Sequence, residues 1–177
     1  NPAFFTENQR GVNPHDSLTP DHSARIVLRH VTEGVQRAEK AKLPAVIKDF
    51  ILQHHGKGKA KFFYMKACEA AGGAENVDDS IYTYPGPNPN TRETTILMIA
   101  DATEAAAKSL QEHSDEAIRT LVERIIDSQR ADGLYVDSPL TFREMEIVKK
   151  TIVERLCMTY HTRVSYNVKS NTDNNKK

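Results

Sequence analysis

Apolar residues recur along this chain with the three-and-four spacing of helices. Ala24, Leu28, Val31, Val35 and Ala38 alternate steps of four and three, which predicts one buried stripe on a helix from about 20 to 41. Thr19-Pro20 in front of it supplies an N-cap with proline at the first helical position, where the missing N–H removes no hydrogen bond. His30 lies beside that stripe. After Leu43-Pro44 the pattern restarts. Ile47, Phe50, Ile51 and His54 follow i, i+3, i+4, i+7, placing His54 on the buried face of a second helix that Gly56 and Gly58 end. A third, more basic helix is expected at 59–71, carrying Phe62, Phe63, Met65 and Ala67 and stopping at Gly72-Gly73.

The segment 73–90 breaks the pattern. Its Tyr84-Pro85-Gly86-Pro87-Asn88-Pro89 run removes donors and fixes φ, so a long ordered loop or lid is expected rather than a regular element. Thr91 then caps a helix of about 92–110 on which Leu97, Asp101, Glu104 and Lys108 share a side. Ser114-Asp115-Glu116 opens another that reaches about Arg130 and is closed by Gly133. Thr141-Phe142-Arg143-Glu144 is a capping box for a last helix through about 160. Residues 1–19, with Pro2, Gly11 and Pro14, read as irregular, and 169–177 is too polar to fold. Apart from the short run Arg163-Val164-Ser165-Tyr166 there is no strand pattern. The expectation is an all-α domain of about six helices over 1–168 followed by a disordered tail.

Composition narrows the function classes. The 177 residues carry 24 Lys+Arg against 24 Asp+Glu, so no bulk field calls for a nucleic acid polymer or an acidic membrane surface, and an anionic substrate must be met locally. No apolar run approaches the ~20 residues of a membrane span, and no charged-then-apolar leader opens the sequence. Two distant cysteines, Cys68 and Cys157, without CxxC spacing suit a reducing compartment and argue against a disulfide framework or a cysteine zinc site. The start at Asn1-Pro2-Ala3, without methionine, reads as a piece of something longer.

The chemistry gathers on histidines. Neighbouring positions in a helix point ~100° apart, so His54 and His55 reach one metal only where the helix is ending, and Gly56 supplies that ending. With His30 upstream and Asp101 downstream the chain offers four ligands of the types that hold zinc, iron or manganese. Asp101 stands in Ile99-Ala100-Asp101-Ala102-Thr103-Glu104-Ala105, a nearly apolar surround in which an unpartnered carboxylate is costly to bury. The competing reading is a hydrogen-bonded core histidine at 30 and a buried ion pair at 101. His113 and His161 read as surface residues and His22 as solvated in a first turn. The basic residues nearest the pair are Lys57, Lys59, Lys61 and Lys66, with Arg25 and Arg92 farther off; a solvated face is the ordinary role of each.

Taken in order, several short runs resemble the cytoplasmic HD domain of bacterial seven-transmembrane HD receptors, a family that hydrolyses cyclic di-AMP. They are Glu7-Asn8-Gln9 with Asn13-Pro14-His15, Ser23-Ala24-Arg25-Ile26 leading to His30-Val31, Leu43-Pro44 to Gln53-His54-His55-Gly56, and Phe62-Phe63-Tyr64. Tyr84-Pro85-Gly86-Pro87 with Thr91 and Glu93, Ala100-Asp101-Ala102-Thr103-Glu104-Ala105, and Pro139-Leu140-Thr141 complete the set. The resemblance implies an HD-superfamily helical fold in which His30, His54 and His55 hold one metal and Asp101 serves its neighbour. The family pattern also holds an upstream histidine and a His-Asp pair just before the segment with which this chain opens. His15-Asp16 is a decoy for that pair, because it lies in a turn between Asn13-Pro14 and Ser17-Leu18.

The resemblance further implies a metal-dependent phosphodiesterase domain using two divalent metals, manganese or iron, and a cyclic dinucleotide substrate. Lys61, Arg25 and Arg92 are candidates for the phosphates, and no side chain of this chain is assigned as a catalytic acid or base. The domain is expected on the cytoplasmic side of the bacterial inner membrane, reaching the membrane only through a transmembrane region upstream. As given, it is expected to be truncated before its His-Asp pair, inactive alone, and partly or wholly empty of metal. A non-catalytic nucleotide-binding regulatory module, or a plain helical interaction domain with structural histidines, are the alternatives.

Overall fold

In a computed structural model of the protein, Phe4 and residues 13–161 are described, His161 by its backbone alone. The sequence features at 5–12, the side chain of His161, the run 163–166 and the tail 169–177 lie outside them. Among the described residues there are six α-helices: α1 (Pro20–Lys40), α2 (Ala45–Gln53), α3 (Lys61–Ala71), α4 (Arg92–Ala107), α5 (Asp115–Ala131) and α6 (Phe142–His161). No strand forms there, and Lys59 and Thr83 make one isolated antiparallel bridge. The all-α expectation holds.

Caps explain most of the boundaries. Thr91 and Thr94 cap α4 reciprocally, each hydroxyl accepting the other's backbone N–H. Ser114 accepts from the Ala117 N–H at the start of α5, and Thr141 with Glu144 forms the expected box on α6. Thr19 precedes α1 with Pro20 at N1, although its side chain makes no cap bond. α4 ends at Ala107, short of 110, because Ser109 and Leu110 turn back onto the carbonyls of Ala106 and Ala107. The irregular stretch 73–90 contains two 3-10 turns, Ala74–Asn76 and Asp79–Tyr82, before its prolines begin.

The helices fall into two groups. α1 packs on α2 and α3, and α5 packs on α4 and α6; α2 against α4 joins them. Ala24, Val31 and Ala38 are buried along α1 as the spacing predicts. The second group holds the main apolar cluster, Ile99, Ala107, Ile118, Leu121, Val122, Ile126, Val153 and Leu156. α4 also buries three threonines, and intrahelical bonds offset the cost of two of them: Thr95 Oγ1 donates to the Thr91 carbonyl at 2.7 Å and Thr103 Oγ1 to Ile99 at 2.8 Å.

Two helices bury less than their apolar residues suggest. Ile47 is 40% exposed, and the buried residue of α2 is Gln53. Gly34 explains the orientation: a Cβ there would lie 2.8 Å from Ile51 Cγ2, so the missing methyl admits Ile51 against α1. α3 buries no residue fully, and Phe62 and Met65 face outward, because the helix lies on the outside of α1 with Phe63 turned inward toward His15 at a centroid distance of 4.9 Å.

The α6 box carries a testable charge. The Glu144 carboxyl is held down to about 2, first by the Thr141 N–H, then by its hydroxyl, then by Arg92 at 2.9 Å. A carboxylate whose folded value lies below its ordinary 4.5 contributes stability that is fully present above 4.5 and is lost as pH falls toward about 2. Glu144→Gln keeps a neutral cap acceptor but no titration. In denaturant melts the variant is expected to be less stable than the parent at pH 7, with the gap closing below pH 4.5; a gap that stays constant to pH 3 would show that the charge contributes nothing.

Candidate metal centre

The seam between the two helix groups collects the histidines. His30 comes from the middle of α1, and His54 is the C-cap of α2 with φ −65° and ψ −13°. His55 follows in a turn closed when the Gly56 N–H donates to the Gln53 carbonyl at 2.9 Å. The helix therefore ends where two adjacent imidazoles must diverge from ideal geometry to share a ligand. The ligating atoms of His30, His54 and His55 all lie within 4.8 Å of one another, and this is the group of metal-ligand type among the described residues.

The ring nitrogens are ordered by their neighbours. His30 Nδ1 lies 2.6 Å from the Val27 carbonyl and His54 Nδ1 2.7 Å from the Ile51 carbonyl. A carbonyl only accepts, so both Nδ1 atoms carry the proton, and in the neutral rings both Nε2 atoms keep their lone pairs. Those two Nε2 atoms face each other at 3.0 Å. Two lone pairs at that distance repel unless a proton or a cation stands between them. Backbone carbonyls that fix the tautomer in this way are the usual outer support of histidine metal ligands. The donor set fits a divalent cation.

His55 is held differently. Its ring lies 4.0 Å from that of His54 at 39°, and 4.1 Å from that of Tyr84 at 29°, a stacked arrangement. Burial first, then the neighbouring His54 and His30 charges, push its pKa down to about 3, so it stays a neutral donor at physiological pH. Its Nδ1 is 3.7 Å from Asp101 Oδ2. Asp101 therefore has a histidine beside it, but its side chain is 43% exposed, not buried as its apolar neighbours imply, because α4 turns that side toward solvent together with Leu97, Glu104 and Lys108.

The loop after Tyr82 completes the wall. The Ala60 N–H donates to Tyr82 and the Tyr84 N–H to Gly58, both at 2.8 Å. Asn88 Oδ1 accepts from the Lys57 N–H at 3.0 Å, and Gln53 Oε1 accepts from the Asn90 N–H at 3.1 Å. The loop is thus stitched to the histidine turn at both ends. Burial, then the Asp101 charge, push the Tyr84 phenol well above its ordinary range, so it remains neutral. Tyr84, Gln53 and Asn88 stand in recognisable runs of the sequence, but no local pattern gives them a role; the available signal is the rigid Pro-Gly-Pro following a tyrosine.

The basic candidates scatter. Lys61 pairs with Asp132 at 2.6 Å and donates to Ser128 Oγ, and Arg92 pairs with Glu144. Arg25 makes no salt bridge among the described residues and lines a shallow groove with Leu28, Arg29, Thr32, Thr83 and Pro85, next to Tyr84 in the chain. Lys59 is tied to Asp79, and Lys66 lies over the Phe62 ring. His15 is buried in the 3-10 turn Pro14–Ser17, where Nε2 bonds the Phe4 carbonyl at 2.9 Å, and it is not in the histidine group. His22 is exposed as expected. His113 is not a free surface residue: it stacks on Tyr160 at 3.8 Å and bonds the Ala107 carbonyl, because the turn after α4 folds it under α6.

Comparison with known proteins gives one consistent answer. Residues 10–106 match the HD domain family model. The chain is 37% identical over 166 residues to the cyclic-di-AMP phosphodiesterase PgpH of Bacillus subtilis, a match covering 93% of this chain and 23% of that protein's length. The chain therefore spans about a quarter of the curated relatives it resembles. It superposes on the crystal structure of the L. monocytogenes PgpH HD domain with a TM-score of 0.83 at 36% identity, covering 91% of this chain and 74% of the other. The same domain in complex with cyclic-di-AMP gives 0.85 at 37% identity, covering 90% and 74%.

The stitching has a weak point that can be probed. Gly86 has φ +25°, and a Cβ there would stand 2.4 Å from the Gly56 carbonyl oxygen and 2.6 Å from its carbon. Both contacts are backbone, so a methyl can be admitted only by moving the loop off the turn. Gly86→Ala is expected to cost about 1–3 kcal/mol of stability and to separate the Tyr84 and His55 rings, read as a lower melting temperature and altered His55 ring resonances. Wild-type values for both would show that the loop is not pinned there.

Proposed function

The chain belongs to the HD domain family, and on that premise we propose that it is the hydrolytic domain of a metal-dependent phosphodiesterase that cleaves cyclic di-AMP. The observation that carries the reading is the meeting of three imidazoles with two Nε2 lone pairs face to face at 3.0 Å. The substrate is supported by the 37% identity to a domain solved with cyclic-di-AMP.

In this reading His30 Nε2, His54 Nε2 and His55 hold one divalent cation, and Asp101 serves a second, with manganese or iron as the metals. When bound, such a pair supplies a more acidic water and neutralises charge at the phosphodiester. The chain's own part is positional. The Val27 and Ile51 carbonyls keep two rings in the ligating tautomer, and burial keeps His55 neutral. The 82–90 loop, bonded to the histidine turn through Tyr84 to Gly58 and Lys57 to Asn88, walls one side of the group. Arg25 is best placed of the three basic candidates to meet a phosphate, since Lys61 and Arg92 are committed to Asp132 and Glu144; Lys61 contributes at most attraction.

The domain works, in this reading, on the cytoplasmic side of a membrane-anchored receptor, as its resemblance to the seven-transmembrane HD receptors implies. No helix among the described residues is long and apolar enough to cross a membrane. Those residues place one carboxylate beside the three imidazoles, a short donor set for two cations, so turnover by the 177 residues alone is expected to be very slow or absent.

The test is hydrolysis of cyclic di-AMP with manganese or iron, followed by chromatography of the linear dinucleotide. A longer protein containing this chain is expected to be active. Within it His54→Ala, His55→Ala and Asp101→Asn should each lower turnover by orders of magnitude, because ligands of one centre act as a unit. Lys61→Ala should mainly raise KM. An Asp101→Asn enzyme that turns over normally, or full activity of the 177-residue chain, would refute this arrangement.

A further inference from the structure

His30 and His54 each lean on a carbonyl three residues back in their own helix, but His55 has no such support. Past Gln53 the helix has ended, and no hydrogen bond to either ring nitrogen of His55 is present among the described residues; Asp101 Oδ2, at 3.7 Å from Nδ1, is beyond hydrogen-bond reach. A ring with one face on His54 still has freedom about its own χ2 unless the other face is covered. Tyr84 covers it, 4.1 Å away and nearly parallel at 29°. The same phenol ring meets His30 edge-on at 6.0 Å and 76°, so it touches two of the three imidazoles from one position.

Tyr84 is itself fixed more firmly than a loop residue ordinarily is. Its N–H is bonded to Gly58 at 2.8 Å, the residue before it bridges Lys59, and the residue two beyond it sits on the Gly56 backbone. The support therefore runs from the turn that carries His55, through the loop, back to the ring of His55. We infer that Tyr84 is a positioning residue that orients the His55 imidazole for ligation by stacking, in place of the carbonyl brace that orients His30 and His54. The inference rests on the metal reading above for its purpose, but its geometry can be tested without metal. The aromatic face, rather than the hydroxyl, carries the role.

The experiment uses the 177-residue chain with histidine-ring NMR in the metal-free state, followed by zinc titration. In the wild type the His55 ring protons are expected as a single set shifted upfield by the Tyr84 ring current. Tyr84→Phe should keep that shift and bind zinc at the wild-type level. Tyr84→Leu, checked for helicity and melting, should lose the shift and bind zinc about 10–100-fold more weakly, the size of effect seen for outer support of a metal ligand. An unshifted or doubled His55 signal in the wild type would overturn the proposal even if the leucine variant fails to fold. So would a folded Tyr84→Leu chain with unchanged zinc affinity, or a Tyr84→Phe chain that loses it. A wild-type chain that shows the shifted ring yet takes no zinc would instead overturn ligation by the three imidazoles of this chain on their own and leave the stacking role standing.

Discussion

The close approach of the Gly86 backbone to the Gly56 carbonyl is the contact on which the rest of the centre depends. A proline-rich loop has few donors with which to hold a course of its own. Here it is pressed against the turn that ends α2, where neither backbone carries a side chain to hold them apart. The hydrogen bonds of Tyr84 to Gly58 and of Asn88 to Lys57 follow from that approach. So does the stacking of Tyr84 on His55, since the loop cannot lie elsewhere without giving up both. Gln53, buried among these backbone segments, uses its amide to accept from Asn90 and so meets its own need for a partner.

Gathering three imidazoles sets an electrostatic condition as well as a geometric one. Burial first, then the neighbouring His54 and His30 charges, raise the cost of protonating His55. The site is therefore arranged to be neutral and rich in lone pairs, which suits a divalent cation and disfavours three protons. The two helix carbonyls decide which nitrogen is available, and they are there only because His30 and His54 stand within or at the end of regular helix. Asp101 brings a carboxylate to within 3.7 Å of His55 Nδ1 from the exposed side of α4, a helix that buries Thr94, Thr95, Met98, Ile99, Thr103 and Ala107 on its other side.

Much of this was legible in one dimension. The helix spacing, the Thr141–Glu144 box, the Thr91 and Ser114 caps and the glycine stops are local devices, decided within four or five residues, and six helices appear near where those devices place them. The tandem histidines before a glycine were readable for the same reason, since the end of a helix is a local event. Less legible were the faces. The apolar spacing of α2 ran through Ile47, Phe50, Ile51 and His54, whereas packing at Gly34 seats Ile51 against α1, leaves Ile47 exposed and buries Gln53. Asp101 looked buried among alanines, yet its exposure depends on which neighbour covers α4.

Sequence by itself determined that the chain is helical and near which residues each helix begins and ends, and it brought His30, His54, His55 and Asp101 forward as candidate ligands, because short-range hydrogen bonding and periodicity carry that information. Only the tertiary structure decided which rings face each other and that Tyr84 lies across His55. Those relations join residues 24 or more positions apart through backbone approaches at glycines, and no local pattern encodes a contact made by the absence of a side chain.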